Sequence, residues 1–89
     1  MERDCNFTIG SSNDNTFSCN NQLISPKQVE ITYQNRTWLI KDLNSEYKTF
    51  INNKALNGMI RLNHGDVIFI MGVKIIVLGN MLIYNNPLE

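Results

Sequence analysis

Few residues of this chain belong to the types that perform catalysis. His64 stands two positions before Asp66 in the stretch NHGD, and such a pair can transfer a proton, but the sequence places no nucleophile near it. Asp42 and Asp66 would act as paired carboxylates only if they converged in a cleft, and each is instead expected to stabilise a turn at a strand end. The residues therefore predict no enzyme activity in this chain.

Residues that bind metals are equally scarce. Cys5, Cys19 and His64 fall short of a four-ligand zinc site, and no Gly-rich phosphate-binding loop is present. We predict no metal and no other cofactor. We expect both cysteines to be reduced thiols, because disulfides are rare in cytosolic proteins.

The composition limits the class of protein. The 89 residues suffice for one domain, and eight basic and eight acidic residues cancel. A zero net charge argues against a nucleic-acid or membrane-surface binder, and no apolar run approaches the ~20 residues of a membrane span. Because the first residues, MERDCN, are polar, we expect no signal peptide. We expect residues 1–89 to form a single domain excised from a longer protein, with residues 88–89 as a tag remnant.

Short apolar runs separated by Asn, Gly, Ser and Pro predict an all-β fold of roughly nine short antiparallel strands, arranged as a β-sandwich without helices. Val29, Ile31 and Tyr33 alternate with polar residues, which is typical of a half-buried strand. In the returning strand, Trp38 and Ile40 share the buried face. We expect Trp38 and Phe50 to belong to the core, together with the apolar residues of the last three strands.

One loop is unusual. The stretch KDLNSEYKTFINNKAL reads as two strands joined by a tight loop, where Gly or Asn would normally supply positive φ. Tyr47 and Lys48 occupy that loop instead. Because Tyr is enriched at interfaces, we expect Tyr47 to contact a partner. Ser45 and Thr49 are expected to hold the shape of the loop.

From Phe7 to about Ile83, the order of motifs resembles the forkhead-associated (FHA) domain, a β-sandwich that reads phosphothreonine peptides through loops at one end. FTIG ends at Gly10, Ser25 stands at the serine of the Ser-x-x-His motif, and DLNSEYKTFIN keeps most of the Asp-Leu-x-Ser-x-Asn-Gly-Thr-Phe-x-Asn motif. GD precedes the apolar strands, as in the family. The resemblance implies an FHA-like sandwich that lacks one or two N-terminal strands.

The departures fall on the family's phosphopeptide-binding positions, which are Ser11, Ser25, Gln28, Tyr47 and Lys48 in this sequence. The resemblance implies an arginine at 11, a histidine at 28 and an Asn-Gly pair at 47–48. In the family, the arginine and serine hold the phosphate and the asparagine holds the peptide backbone. Only Ser25 remains of those three, which predicts a degenerate FHA domain.

Two interpretations of this loop end stay open. Ser25 either binds a phosphate, helped by Lys27 and Lys48, or shapes the turn before Pro26. The lysines either supply positive charge or partner contacts, or are solvated surface residues, and a lysine lacks the bidentate fork of arginine. The first alternative would make the chain a phosphothreonine-peptide-binding FHA domain of a signalling or DNA-translocase protein.

The stretch GDVIFIMGVKIIVLGNMLIYNNP resembles the FHA modules of membrane-anchored FtsK/SpoIIIE-type (EssC-like) ATPases of type VII secretion in Gram-positive bacteria. This resemblance implies a non-enzymatic domain on the cytoplasmic face, with the ATPase activity outside this chain. The implied partners are proteins, such as other components of the secretion machinery. Phosphothreonine peptides, nucleic acid and direct membrane contact are not expected.

Overall fold

The computed structural model of the protein describes residues 5–85. These residues form ten short strands and no helix, which confirms the predicted all-β class. The strands are β1 (Cys5–Gly10), β2 (Phe17–Ser18), β3 (Val29–Gln34), β4 (Thr37–Asp42), β5 (Phe50–Ile51), β6 (Lys54–Ala55), β7 (Met59–Leu62), β8 (Val67–Ile70), β9 (Val73–Leu78) and β10 (Met81–Asn85).

The strands build two five-stranded sheets. Sheet A has the order β2-β1-β3-β4-β7, and sheet B has the order β10-β9-β8-β5-β6. All pairs are antiparallel except β1 with β2, which pair in parallel through Ile9 and Phe17. The connections that leave β1, enter β3 and leave β4 lie at one end of the sandwich, opposite the β3–β4 hairpin, and this end presents the candidate site.

The core lies between the sheets. Alternate residues of β3, β4 and β9 point inward, as the period of two requires. The rings of Tyr33 and Trp38 lie 4.5 Å apart, and Trp38 Nε1 donates to Gly79 O at 2.7 Å. The predicted burial of Trp38 and Ile40 is confirmed.

The expectation that Phe50 belongs to the core is wrong. Its side chain remains 39% exposed, while the neighbouring Ile51 points inward. The last three strands are likewise apolar on both faces but buried on one only, since Phe69, Leu78 and Ile83 are exposed. The number of apolar residues in a strand therefore predicts more burial than the structure shows.

Tight connections obtain positive φ from residues other than Tyr47 and Lys48, mostly from Asn. The β3–β4 hairpin turns at Asn35 and Arg36, with φ of 53° and 59°. The β5–β6 hairpin turns at Asn52 and Asn53, with φ of 50° and 71°.

Among the described residues, no helix has the length and apolar character that crossing a membrane would need.

Candidate functional site

Three segments meet at one end of the sandwich, and we call this end the loop pole: residues 10–16, 24–28 and 42–49. The first leaves β1, the second enters β3 and the third leaves β4. Ser11 N donates to Ser25 O at 3.0 Å, and Ser12 N donates to Pro26 O at 3.3 Å. Backbone hydrogen bonds thus bring Ser11 beside Ser25, as the FHA resemblance implied.

Gly10 lets the first two segments approach each other. A Cβ atom at this position would lie 2.1 Å from Pro26 O and 2.8 Å from Asn15 Nδ2, which is too close for any other residue. Asn15 then joins the segments, because its Nδ2 donates to Ser12 O at 2.8 Å and to Pro26 O at 2.7 Å. Its Oδ1 is buried and accepts no hydrogen bond from the described residues.

Gln28 joins the second segment to the third. Its side chain is fully buried, with Oε1 accepting from Ser25 N at 2.9 Å. Its Nε2 donates to Tyr47 O at 2.7 Å and to Thr49 Oγ1 at 3.1 Å. Gln28, predicted as a degenerate site position, therefore lies beneath the pole and supports its loops rather than facing a ligand.

The third segment also has an internal frame. Ser45 Oγ donates to Asp42 Oδ1 at 2.5 Å, and Ser45 N donates to Asp42 Oδ2 at 3.2 Å. Thr49 is buried beneath the loop, and its O accepts from Leu56 N at 2.8 Å. These contacts confirm the structural roles expected of Asp42, Ser45 and Thr49. Asn44, with φ of 62°, takes the left-handed conformation, so Tyr47 and Lys48 need not.

Ser25 is half-buried at the centre of the pole. Its Oγ accepts a hydrogen bond from Glu46 N at 3.0 Å, so the hydroxyl fastens the third segment to the second. A hydroxyl that accepts one bond can still donate its own hydrogen. Ser25 therefore shapes the pole and keeps one hydrogen available for an acceptor.

The charges around Ser25 do not favour a phosphate. Lys27 Nζ lies 3.2 Å from Asp14 Oδ1, so its charge is compensated by that carboxylate. The hydrogen bond from Ser12 Oγ, together with the nearby Lys27 ammonium, lowers the pKa of Asp14 below its usual value. Lys48 is exposed on the third segment. Glu46, on the same segment, adds a negative charge to that of Asp14.

Tyr47 is fastened by its backbone and exposed through its side chain, which retains 45% of its surface. A large aromatic side chain on an anchored backbone loses little entropy when it is covered, which suits a contact residue. The expected partner contact of Tyr47 stays a prediction.

The remaining chemical candidates have structural roles. His64 Nδ1 accepts from Gly79 N at 2.9 Å, while Asp66 accepts from Asn63 N at 2.7 Å and from Asn52 Nδ2 at 2.9 Å. Cys5 is exposed and Cys19 buried, and neither forms a disulfide within the described residues. Within residues 5–85, no three side chains of His, Cys, Asp or Glu come together as metal ligands would.

Sequence reasoning missed Asn15 and the supporting role of Gln28. Asn15 lies in the polar cluster SSNDN, where five similar residues give no sign of which one is buried. For Gln28, the position within the Ser-x-x-His motif was the available signal, because a buried polar side chain there must reach across to the next loop.

The sequence model of the FHA domain matches residues 7–71, which contain the loop pole, most of sheet A and the β5, β6 and β8 strands of sheet B. The chain therefore belongs to the FHA family, whose members are non-catalytic protein-interaction modules that bind phosphopeptides. No curated protein matches the chain.

Solved structures agree with this assignment. The FhaA FHA domain, complexed with the intracellular domain of Rv3910, is 30% identical with a TM-score of 0.68, over 78% of this chain and 75% of that one. An FHA domain from a study of phosphothreonine-dependent interactions is 29% identical with a TM-score of 0.69, over 93% and 77%. The FHA-2 domain of the Mycobacterium tuberculosis ABC transporter Rv1747, at 23% identity, shares the fold with a TM-score of 0.73, over 92% and 75%.

Proposed function

We propose that this domain is a degenerate FHA module that docks a partner protein without reading phosphothreonine. The observation that carries the proposal is which residues occupy the phosphate-binding positions and what those residues contact. Position 11 holds a serine instead of an arginine, and the Ser25 hydroxyl is engaged by Glu46 N. Lys27, the cation nearest to Ser25 in sequence, already faces Asp14.

The energetic argument follows from these groups. Phosphothreonine carries close to two negative charges, and tight binding needs charge-assisted, preferably bidentate, hydrogen bonds. Each such bond contributes about 1.5–3 kcal/mol, so the absence of the arginine weakens binding by about one to two orders of magnitude. The carboxylates of Asp14 and Glu46 oppose a dianion further.

Fluorescence polarisation with a degenerate phosphothreonine peptide library tests the proposal. We expect no binding tighter than roughly millimolar, compared with the micromolar range in which such modules are useful. The triple variant Ser11→Arg, Tyr47→Asn, Lys48→Gly should recover part of the affinity, because the frame of Gly10, Asn15 and Gln28 is intact. Micromolar binding by the unmodified chain, abolished by phosphatase treatment of the peptide, would overturn the proposal.

One observation favours the alternative function, a phosphothreonine reader that uses Ser25, Lys27 and Lys48. The Ser25 hydroxyl keeps its hydrogen for donation, and Lys27 pairs with a carboxylate that is itself exposed and replaceable. The same titration decides between the two functions, and Lys27→Met would abolish binding by a reader of this kind.

We further propose that the domain belongs to a membrane-anchored FtsK/SpoIIIE-type ATPase of type VII secretion and lies on the cytoplasmic face. The resemblance of residues 65–87 to those modules supports this context. The ATPase activity would then belong to other domains of the parent protein, and other secretion components would be the partners. Sequencing the parent gene tests the proposal: a G-x-x-x-x-G-K-[ST] motif downstream of Pro87 and a pair of membrane spans are expected.

A further inference from the structure

The outer face of sheet B carries an unusual amount of exposed apolar surface. Strand register assigns each residue to a face, because directly paired residues point to the same side. Ile75 and Val77 point into the core, so Lys74, Ile76 and Leu78 point outward together with their paired residues. We call seven of these outward residues the apolar stripe: Phe50, Val67, Phe69, Ile76, Leu78, Met81 and Ile83.

The stripe crosses the sheet diagonally. Its three ranks of paired positions are Phe50–Phe69–Lys74, Val67–Ile76–Ile83 and Leu78–Met81. These three rows of paired residues start on β5, β8 and β9 respectively, so each row lies one strand closer to β10 than the row before it. From Phe50 to Met81 the stripe spans three strand spacings across and four residues along, or about 20 Å.

Polar groups border the stripe on both sides. Lys74 and Asn85 stand at one corner, and Asn52 stands at the other. In the described strands of sheet B, Lys74 is the one outward-pointing residue that carries a charge. A depression of about 400 Å³ opens beside Phe69, lined by Val67, Lys74 and the amides of Asn52 and Asn53.

The outer face of sheet A is different. Its outward residues are mostly polar or charged: Asn6, Thr8, Glu30, Thr32, Gln34, Thr37, Lys41 and Arg61, with Leu39 and Met59 as the apolar members. Some are paired with each other, such as Asn6 Nδ2 with Thr32 Oγ1 at 2.9 Å. The outer face of sheet A is therefore suited to contact with water, whereas the outer face of sheet B resembles a protein interface.

We propose that the apolar stripe binds one amphipathic helix of a partner protein, with an acidic side chain of that helix placed against Lys74. This inference rests on the proposed function, phosphate-independent docking, and assigns the docking to the outer face of sheet B instead of the loop pole. A stripe of about 20 Å matches a helix of about 13 residues, which rises 1.5 Å per residue. The depression beside Phe69 receives an apolar side chain, while Lys74 selects the neighbouring carboxylate.

The size of the stripe favours a single helix over a second copy of this chain. Its five most exposed side chains keep 39–54% of their surface. That is on the order of 400 Å² if each large side chain has about 200 Å². A stable protein–protein interface buries about 800 Å² per partner. Self-association would also present Lys74 with no carboxylate from the described outward positions of sheet B.

Synthetic helical peptides provide the probe. One 14-residue peptide carries leucines at i, i+3, i+4 and i+7 with a glutamate beside them, and a matched peptide carries lysine in place of that glutamate. We expect the glutamate peptide to bind this chain about fivefold more tightly than the lysine peptide. Lys74→Glu should reverse the preference, whereas Lys41→Glu, on the outer face of sheet A, should not.

A second pair of variants tests the apolar contact. Phe69→Thr keeps a good strand former at an exposed position and should weaken binding of the glutamate peptide about tenfold. Met59→Thr, on the outer face of sheet A, is the matched control and should leave binding unchanged. Equal binding of the two peptides, or equal effects of these two variants, would overturn the inference.

Amide shift mapping needs no variant. Adding the glutamate peptide to the unmodified, isotope-labelled chain should shift the signals of Phe69, Ile76 and Ile83. Shifts confined to Ser25 and Tyr47 would overturn the inference and place docking at the loop pole. A concentration-dependent dimer that Phe69→Thr dissociates would overturn it in favour of a second copy. Micromolar phosphothreonine binding would instead contradict the proposed function, so the two failures are distinguishable.

Discussion

The side-chain amide of Gln28 donates to the backbone carbonyl of Tyr47 at 2.7 Å and so joins two loops that are 19 residues apart in sequence. The same side chain accepts from Ser25 N. Gln28 therefore holds the second and third segments of the loop pole together from beneath.

We expect Gln28→Ala to lower the free energy of unfolding by about 2–4 kcal/mol, because it leaves a cavity at a fully buried position and removes the partner of Ser25 N, Tyr47 O and the buried Thr49 Oγ1. Urea denaturation followed by tryptophan fluorescence measures the change. The neighbouring Lys27→Ala, at a half-exposed position, is the control and should change the free energy by less than about 0.5 kcal/mol. Equal midpoints for Gln28→Ala and the unmodified chain would contradict the supporting role.

Gly10→Ala should destabilise the domain by about 2 kcal/mol or more, because its Cβ would lie 2.1 Å from Pro26 O. Gly58→Ala is an informative comparison. Gly58 has φ of 72° and open space around its missing Cβ, so its cost is that of the left-handed backbone, about 1–2 kcal/mol. Thermal denaturation compares the two, and amide shifts in segments 10–16 and 24–28 should change only for Gly10→Ala.

Trp38→Ala should cost about 3–5 kcal/mol, since it removes a buried indole that packs against Tyr33. In a domain of this size that loss can abolish folding. Trp38→Phe retains most of the packing and loses the bond to Gly79 O, which should cost about 1–2 kcal/mol. An unchanged melting temperature for Trp38→Ala would contradict the buried position.

The carboxyl group of Asp14 should titrate below its usual pKa, because Ser12 and Lys27 stabilise its charged form. A lowered pKa in the folded state means that the stabilising contribution is present above the usual pKa and disappears as the pH falls through the lowered one. Carboxyl carbon NMR measures this titration. Ser12→Ala and Lys27→Met should each raise the pKa of Asp14, and an unaltered titration in both variants would exclude the contacts.

Much of the fold follows from local sequence. Most strands coincide with apolar runs bounded by turn residues, although the sequence predicts roughly nine strands and the described residues form ten. The alternation in Val29–Gln34 identifies its buried face. The exposure of Phe50 could not be predicted in the same way. A period of two assigns residues to two faces, but whether the second face is covered depends on what packs against the sheet.

The candidate site, like the fold, could be predicted from the sequence only in part. Ser11, Ser25 and Tyr47 could be placed together because a family pattern supplies their long-range relationship. The contact of Ser25 Oγ with Glu46 N spans 21 residues, and that of Asn15 Nδ2 with Pro26 O spans 11. No local propensity specifies such contacts, because they depend on how the strands bring the loops together.

The presence of an amide at position 28 has one more consequence. A histidine there would change its charge near pH 6.5 and, once protonated, could no longer accept from Ser25 N. The carboxamide of Gln28 offers its donor and its acceptor at every physiological pH. The link that Gln28 makes between Ser25 and Tyr47 is therefore not titratable, whereas the contacts of Asp14 at the same pole are.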